Sequence, residues 1–163
     1  MSQIQALLKE MEQEAATTRK MLSRIPEDKY DWQPHPKSMK LLRLATHVAE
    51  LPGWVTMTLN TSELDFSKGQ YSPVVVKDAA ELMNYFESTL AEGKQRLAAA
   101  TPAEMEETWV LRDGDTVFVT QTKAEFIRTS YSQIVHHRAQ LGVYLRLLDI
   151  PIPGSYGPSA DEY

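Results

Sequence analysis

Few side chains in this chain can do chemistry, and they are easily counted. No cysteine occurs among its 163 residues, which excludes disulfides, thiolate metal sites, iron–sulfur clusters and cysteine nucleophiles. A metal ion or a general base must then be sought among four histidines: His35, His47, His136 and His137. His47 lies between Leu44 and Leu51, and His137 between Ile134 and Leu141, each on the apolar side of a helical pattern. An imidazole facing a core needs partners for its ring nitrogens, and metal sites in helical proteins are built from such side chains on facing helices. The same placement also suits a purely structural histidine whose nitrogens are satisfied. Gln133 precedes His137 by one turn on the same helix face. A His-x-x-x-His pair there would be a strong chelator. Gln-x-x-x-His is a weaker one, because an amide oxygen is a neutral, poor ligand for zinc-like ions.

Glu50, three residues after His47, either borders the same cavity as an orienting partner or base, or is a solvated helix charge. His136 points about 100° away from His137, toward a helix boundary or solvent. His35, between Pro34 and Pro36, reads as a loop residue. Trp32, Trp54 and Trp109 read as packing residues, one of which could line a pocket. Glu63 and Asp65 read as loop charges. There is no glycine-rich phosphate loop and no serine in a nucleophile-elbow setting.

The elements that must position these residues follow from periodicity and caps. Ile4, Leu7, Leu8, Met11, Ala15, Thr18, Met21, Leu22 and Ile25 form one face of a first helix, which Ser2 and Gln5 cap and Pro26 stops. A second helix is expected over 38–60. It is apolar nearly all round, which suggests a core member that also meets a second subunit, and Pro52 should kink it one turn beyond His47. Asp78 and Glu81 open a third helix running to about residue 100, and Thr101-Pro102-Ala103-Glu104 opens a short turn. Two β-prone runs around Asp113-Gly114 read as a small hairpin over 108–120. Thr122 and Glu125 cap the last helix, which runs to Leu148 or Asp149 before an irregular tail. Together these elements predict one all-α domain over 1–163, a four-helix bundle with a β-hairpin-like excursion before its last helix.

The composition narrows the partners. A net charge of −5 without a Lys/Arg block argues against nucleic acid, and no apolar run reaches the ~20 residues of a membrane span. The polar N-terminal stretch lacks a signal-peptide pattern, so a cytoplasmic location is expected.

Several segments resemble a known family. Ile134-Val135-His136-His137-Arg138-Ala139-Gln140-Leu141-Gly142-Val143-Tyr144-Leu145-Arg146 resembles the His-His-Arg-Gly-Gln…Tyr-Leu-Arg signature of the DinB family of DinB/YfiT-like metalloenzymes. The tail Pro153-Gly154-Ser155-Tyr156-Gly157-Pro158-Ser159-Ala160-Asp161-Glu162 is similar to that family's C-terminal pattern. Trp32-Gln33-Pro34-His35-Pro36-Lys37 and His47-Val48-Ala49-Glu50-Leu51-Pro52-Gly53-Trp54 look like its first two helices. The resemblance implies a four-helix bundle, commonly a homodimer, with a divalent metal of the zinc, nickel or iron class held by three histidines. It implies chemistry on low-molecular-weight thiols, or metal-dependent hydrolysis, on a small-molecule substrate. Carried onto this chain, the ligands are His47, Gln133 and His137. Gln133 replaces a histidine and Ala139 replaces a glycine. That replacement opens the alternative of a non-catalytic dimeric bundle that has lost its metal and serves as a small-molecule-binding or interaction module.

Overall fold

The structure, a computed structural model, describes residues 1–162. Helix α1 spans Gln3–Leu22 and starts with the expected capping box, in which Ser2 and Gln5 satisfy each other's backbone N–H groups. The expected second helix is two helices, α2 (Leu41–Glu50) and α3 (Gly53–Asn60), separated at Leu51-Pro52. A proline inside a helix removes a donor and clashes with the preceding turn, and here the outcome is a break rather than a kink. Helix α4 (Ala79–Ala98) begins at the Asp78 cap, and α5 (Pro102–Met105) is the short turn opened by Thr101 and Glu104. Helix α6 (Lys123–Leu147) begins at the Thr122–Glu125 capping box.

These helices close on one core. Helices α1, α2 and α3 each pack against both α4 and α6. Leu41, Leu44, Ala45, Val48, Ala49, Leu51 and Val55 are all buried within the single chain. Within the single chain α1, α4 and α6 cover most of this apolar circumference, while Leu42, Trp54 and Met57 stay partly exposed. At the α2–α3 break, Thr89 of α4 donates its hydroxyl to the Ala49 carbonyl at 2.6 Å. Gly93 of α4 is required by close approach, since a Cβ there would lie 2.5 Å from the Pro52 carbonyl oxygen.

Helix α2 has no side-chain cap. Its first N–H groups are instead satisfied by the preceding connection: Leu41 N donates to the Trp32 carbonyl (2.8 Å) and Leu42 N to the Tyr30 carbonyl (3.1 Å). The sequence between Pro26 and Lys40 thus forms a built-in N-terminal cap that also fixes Tyr30 beside α2.

The expected hairpin is part of something larger. Strands β2 (Thr108–Asp113) and β3 (Thr116–Thr122) pair antiparallel across Gly114, whose φ of +56° suits glycine. A third strand, β1 (Glu63–Asp65), pairs parallel to β2, giving a mixed sheet in the order β1-β2-β3. The reading of Glu63 and Asp65 as loop charges is corrected here. The Asp65 carboxylate accepts from Ser67 N (3.0 Å), Ser67 Oγ (2.7 Å) and Gly114 N (3.0 Å), which ties β1 to the hairpin turn. Beneath the sheet, Leu64, Trp109 and Phe126 form a small separate core, with Trp54 and Tyr71 packed against it. The fold is thus mostly helical, with six α-helices and one three-stranded mixed sheet among the described residues. No helix among them is long and apolar enough to cross a membrane.

Among the described residues the tail after α6 has neither helix nor strand, yet it is pinned at several points. Asp161 pairs with Arg146 at 2.6 Å and accepts from Ile152 N, while Glu162 accepts from Gly154 N and Ser159 N. Tyr163, the last residue of the tail expected to be irregular, lies outside the described residues.

Candidate functional site

Helices α2 and α6 bring His47 and His137 together, with ring centroids 4.6 Å apart and planes at 70°. Both are largely withdrawn from water: the His47 side chain is 13% exposed and His137 is buried. Each has one ring nitrogen engaged by a residue three positions on. His47 Nδ1 meets Glu50 Oε1 at 2.5 Å, and His137 Nδ1 meets Gln140 Oε1 at 2.8 Å. A carboxylate and an amide oxygen are acceptors, so Nδ1 carries the proton in both rings. In the neutral form of such a ring the lone pair is then on Nε2. Burial pushes the His137 pKa down, against the raising effect of the Gln140 hydrogen bond, so this ring is neutral near pH 7.

Glu50 is the hub of the α2 side. Its Oε1 also accepts from the Tyr71 hydroxyl at 2.6 Å, and Tyr71 in turn accepts from Arg43 Nη2 at 2.7 Å. Arg43 Nη2 lies 3.8 Å from the same carboxylate oxygen. Burial, together with the Glu50 hydrogen bond, pushes the Tyr71 phenol up to about 12, so it remains a donor to Glu50. Arg43, His47 and Glu50 stand at i, i+4 and i+7, one face of α2. The wall beside them is aromatic: Trp54 of α3 meets His47 edge-on at 6.0 Å and Tyr71 at 6.3 Å, and stacks on Phe126 at 6.2 Å. The sheet underpins this wall, since Trp109 packs 3.9 Å from Phe126 and bonds Thr61 through its indole N–H.

The other predicted residues fall elsewhere. Gln133 is half-buried and lines a groove along α6 with Gln3, Gln121, Arg128 and His136. It makes no hydrogen bond to either imidazole of the pair among the described residues. His136 is exposed, its ring 4.7 Å from that of His137, and His35 is an exposed loop residue whose Nδ1 accepts from Lys37 N. No group of three His, Cys, Asp or Glu side chains arranged to hold a metal ion occurs among the described residues.

Three members of the site went unidentified in the sequence. Gln140 repeats the His-x-x-Glu spacing of His47 and Glu50, and that parallel was the signal for it. Arg43 was readable as a third residue on the His47 face. Tyr71 arrives from a connection without helix or strand, and no local pattern points to it.

The comparisons with known proteins agree on the fold. A DinB-like protein from Bacillus cereus ATCC 10987 superimposes with a TM-score of 0.73 at 19% identity, covering 96% of this chain and 100% of that one. A DinB-like protein from Bacillus subtilis gives 0.68 at 15% identity, covering 90% and 96%. A mycothiol-dependent maleylpyruvate isomerase gives 0.60 at 13% identity, covering 85% of this chain and 60% of that one. No protein of curated function matches the chain in sequence. The DinB family model matches residues 1–163, and the chain belongs to the DinB family.

Proposed function

We propose that the chain is a divalent-metal-dependent enzyme whose reaction centre lies between α2 and α6, acting on a small molecule of the thiol or hydrolysable class. The observation that supports this best is the imidazole pair, each ring fixed through Nδ1 and keeping Nε2 for another partner. His47 and His137 would hold the ion, and Gln133, one turn before His137 on α6 but lining the neighbouring groove, would have to turn toward the pair to serve as a third ligand. A bound divalent ion would act as a Lewis acid on a water or thiol. The chain's own residues set the stage for it. Glu50 and Gln140 keep each ring in one tautomer, Arg43 and Tyr71 hold Glu50 in place, and Trp54 keeps bulk water off the His47 side. The fold neighbour named as a mycothiol-dependent isomerase favours the thiol branch. In this reading α2 and α3 count as one broken member of a four-helix bundle.

The test is calorimetric titration of chelator-stripped protein with zinc and nickel. Wild type should bind, Gln133→His should bind at least about ten-fold more tightly, and His47→Ala should lose the site. If neither wild type nor Gln133→His binds a divalent ion, the enzyme reading falls. A second reading, a non-catalytic member of the family, is favoured by the lack of a third strong ligand beside the pair. It predicts that His47→Ala changes thermal stability and nothing else.

A further inference from the structure

Only three buried side-chain nitrogen or oxygen atoms among the described residues lack a hydrogen-bond partner, and two of them, Tyr30 Oη and Arg43 Nη1, belong to residues lining one cavity. Native proteins rarely leave such groups orphaned, so two at one cavity point to a missing acceptor. The cavity has a volume of about 340 Å³, within the range of small-molecule sites, and lies beside the start of α2. The rest of its lining is Leu42, Pro73 and Val74–Val76, with Asp31 and Lys40 besides, and Thr46 already donates its hydroxyl to backbone carbonyls. Lys40 and Asp31 pair with each other at 2.6 Å, and Arg43, whose Nη2 lies 3.8 Å from Glu50, keeps its Nη1 free for a ligand.

We propose that this cavity binds a small organic acid, its carboxylate accepting from Arg43 Nη1 and Tyr30 Oη and its short apolar chain lying against Leu42 and the valines. A carboxylate is the acceptor that matches a guanidinium N–H in charge as well as in hydrogen bonding. Both donors are closed off from water, so the wall that yields to the ligand is the extended 73–76 segment, which forms neither helix nor strand. Burial, with Glu27 and Asp78 nearby, raises the Tyr30 phenol above its ordinary value and keeps its proton in place for donation. The opposite nitrogen of the same guanidinium, Nη2, holds Tyr71 and through it Glu50 and His47. A bound acid would thus sit across Arg43 from the imidazole pair. The binding itself does not depend on a metal ion at that pair.

Titration calorimetry in the presence of a chelator tests this separately from the metal reading, with butanoate, butanamide and butylammonium as probes. The amide carbonyl can still accept, but without the charge assistance at two donors, so butanoate should bind about 10- to 100-fold more tightly than butanamide, about 1.4–2.8 kcal/mol, and butylammonium should give no heat. Arg43→Gln should erase the preference for butanoate over butanamide. Tyr30→Phe keeps the ring and removes only the orphaned hydroxyl. It should weaken butanoate about three- to ten-fold and raise the melting temperature of the ligand-free protein. Equal affinity for acid and amide, an unchanged butanoate affinity in Tyr30→Phe, or no butanoate heat from wild type at tens of millimolar would each overturn the proposal. Should Arg43→Gln fail to fold, the acid–amide comparison on wild type and the Tyr30→Phe titration still decide it.

Discussion

His137 and Arg138 are neighbours on α6, yet they enter two different polar clusters. Arg138 turns toward α1. Its Nη1 donates to the Glu14 carbonyl and to Thr18 Oγ1, and its Nη2 pairs with the Glu14 carboxylate at 2.7 Å. The tail closes this cluster, since Tyr156 accepts from Arg138 and donates to Glu14. His137 turns toward α2 and joins a cluster in which one nitrogen of each imidazole and one of Arg43 are left over. Both clusters place charge in a largely buried setting. The first is saturated by partners from α1, α6 and the tail, and it serves as a clamp. The second holds its members in place while leaving donor and acceptor capacity without a partner in the protein. The family signature His-His-Arg thus joins two tasks on successive residues, one for the site and one for the frame.

Removing Arg138 should show the largest effect. Arg138→Ala leaves the buried Glu14 carboxylate without its cation, and losing one partner of a buried pair costs about 3–5 kcal/mol. Denaturation in urea should register that loss, and thermal unfolding should show a melting temperature lower by about 6–20 °C for a chain of this size. A loss below about 1 kcal/mol would mean that the α1–α6–tail clamp is not a structural keystone. The matching change in the open cluster, Glu50→Gln, should cost about 1 kcal/mol. The amide oxygen can still accept from Tyr71 and His47, and only the charge assistance disappears. If Glu50→Gln destabilises as much as Arg138→Ala, the two clusters are not different in kind.

What the sequence revealed divides along the same line, between local and remote partners. Ser2 with Gln5, Thr101 with Glu104, and Thr122 with Glu125 are pairs three residues apart, and all three capping boxes form as the spacing predicts. His47 and His137 were legible because each sits one turn from leucines or isoleucines that must face the core. Glu50 was weighed because it follows His47 by three residues, and the same spacing from His137 would have pointed to Gln140. Tyr71 and Tyr156 were not. Tyr156 reaches Glu14 across 142 positions of sequence, and no periodicity encodes such a contact. Strand β1 was missed because three residues pairing parallel with a distant strand leave no alternation to read. Helix α2 is ambiguous for a physical reason. An apolar circumference signals burial on several sides without saying whether those sides belong to the same chain, and here α1, α4 and α6 supply most of them.

Saturation can also be read from acid sensitivity, and this is the smallest effect expected. Asp65 is a carboxylate whose partners are mainly neutral donors, two backbone N–H groups and a hydroxyl, and these hold its pKa down at about 2, below the ordinary 3.8. A carboxylate with a depressed folded-state pKa contributes stability that is fully present above its unfolded value. That stability is lost as pH falls from about 4 toward about 2, because the unfolded chain takes up the proton first. Asp65→Asn removes the ionisable group while keeping its shape. Wild type should therefore be more stable than the variant at pH 7, and the gap should shrink steadily between about pH 4 and pH 2. Parallel urea titrations across that range measure the gap. A gap that stays constant down to pH 2 would show that shape, not charge, fixes the turn at Gly114. A gap that closes would show that the Asp65 charge, held by the N–H groups of Ser67 and Gly114 and the Ser67 hydroxyl, is what fixes the turn.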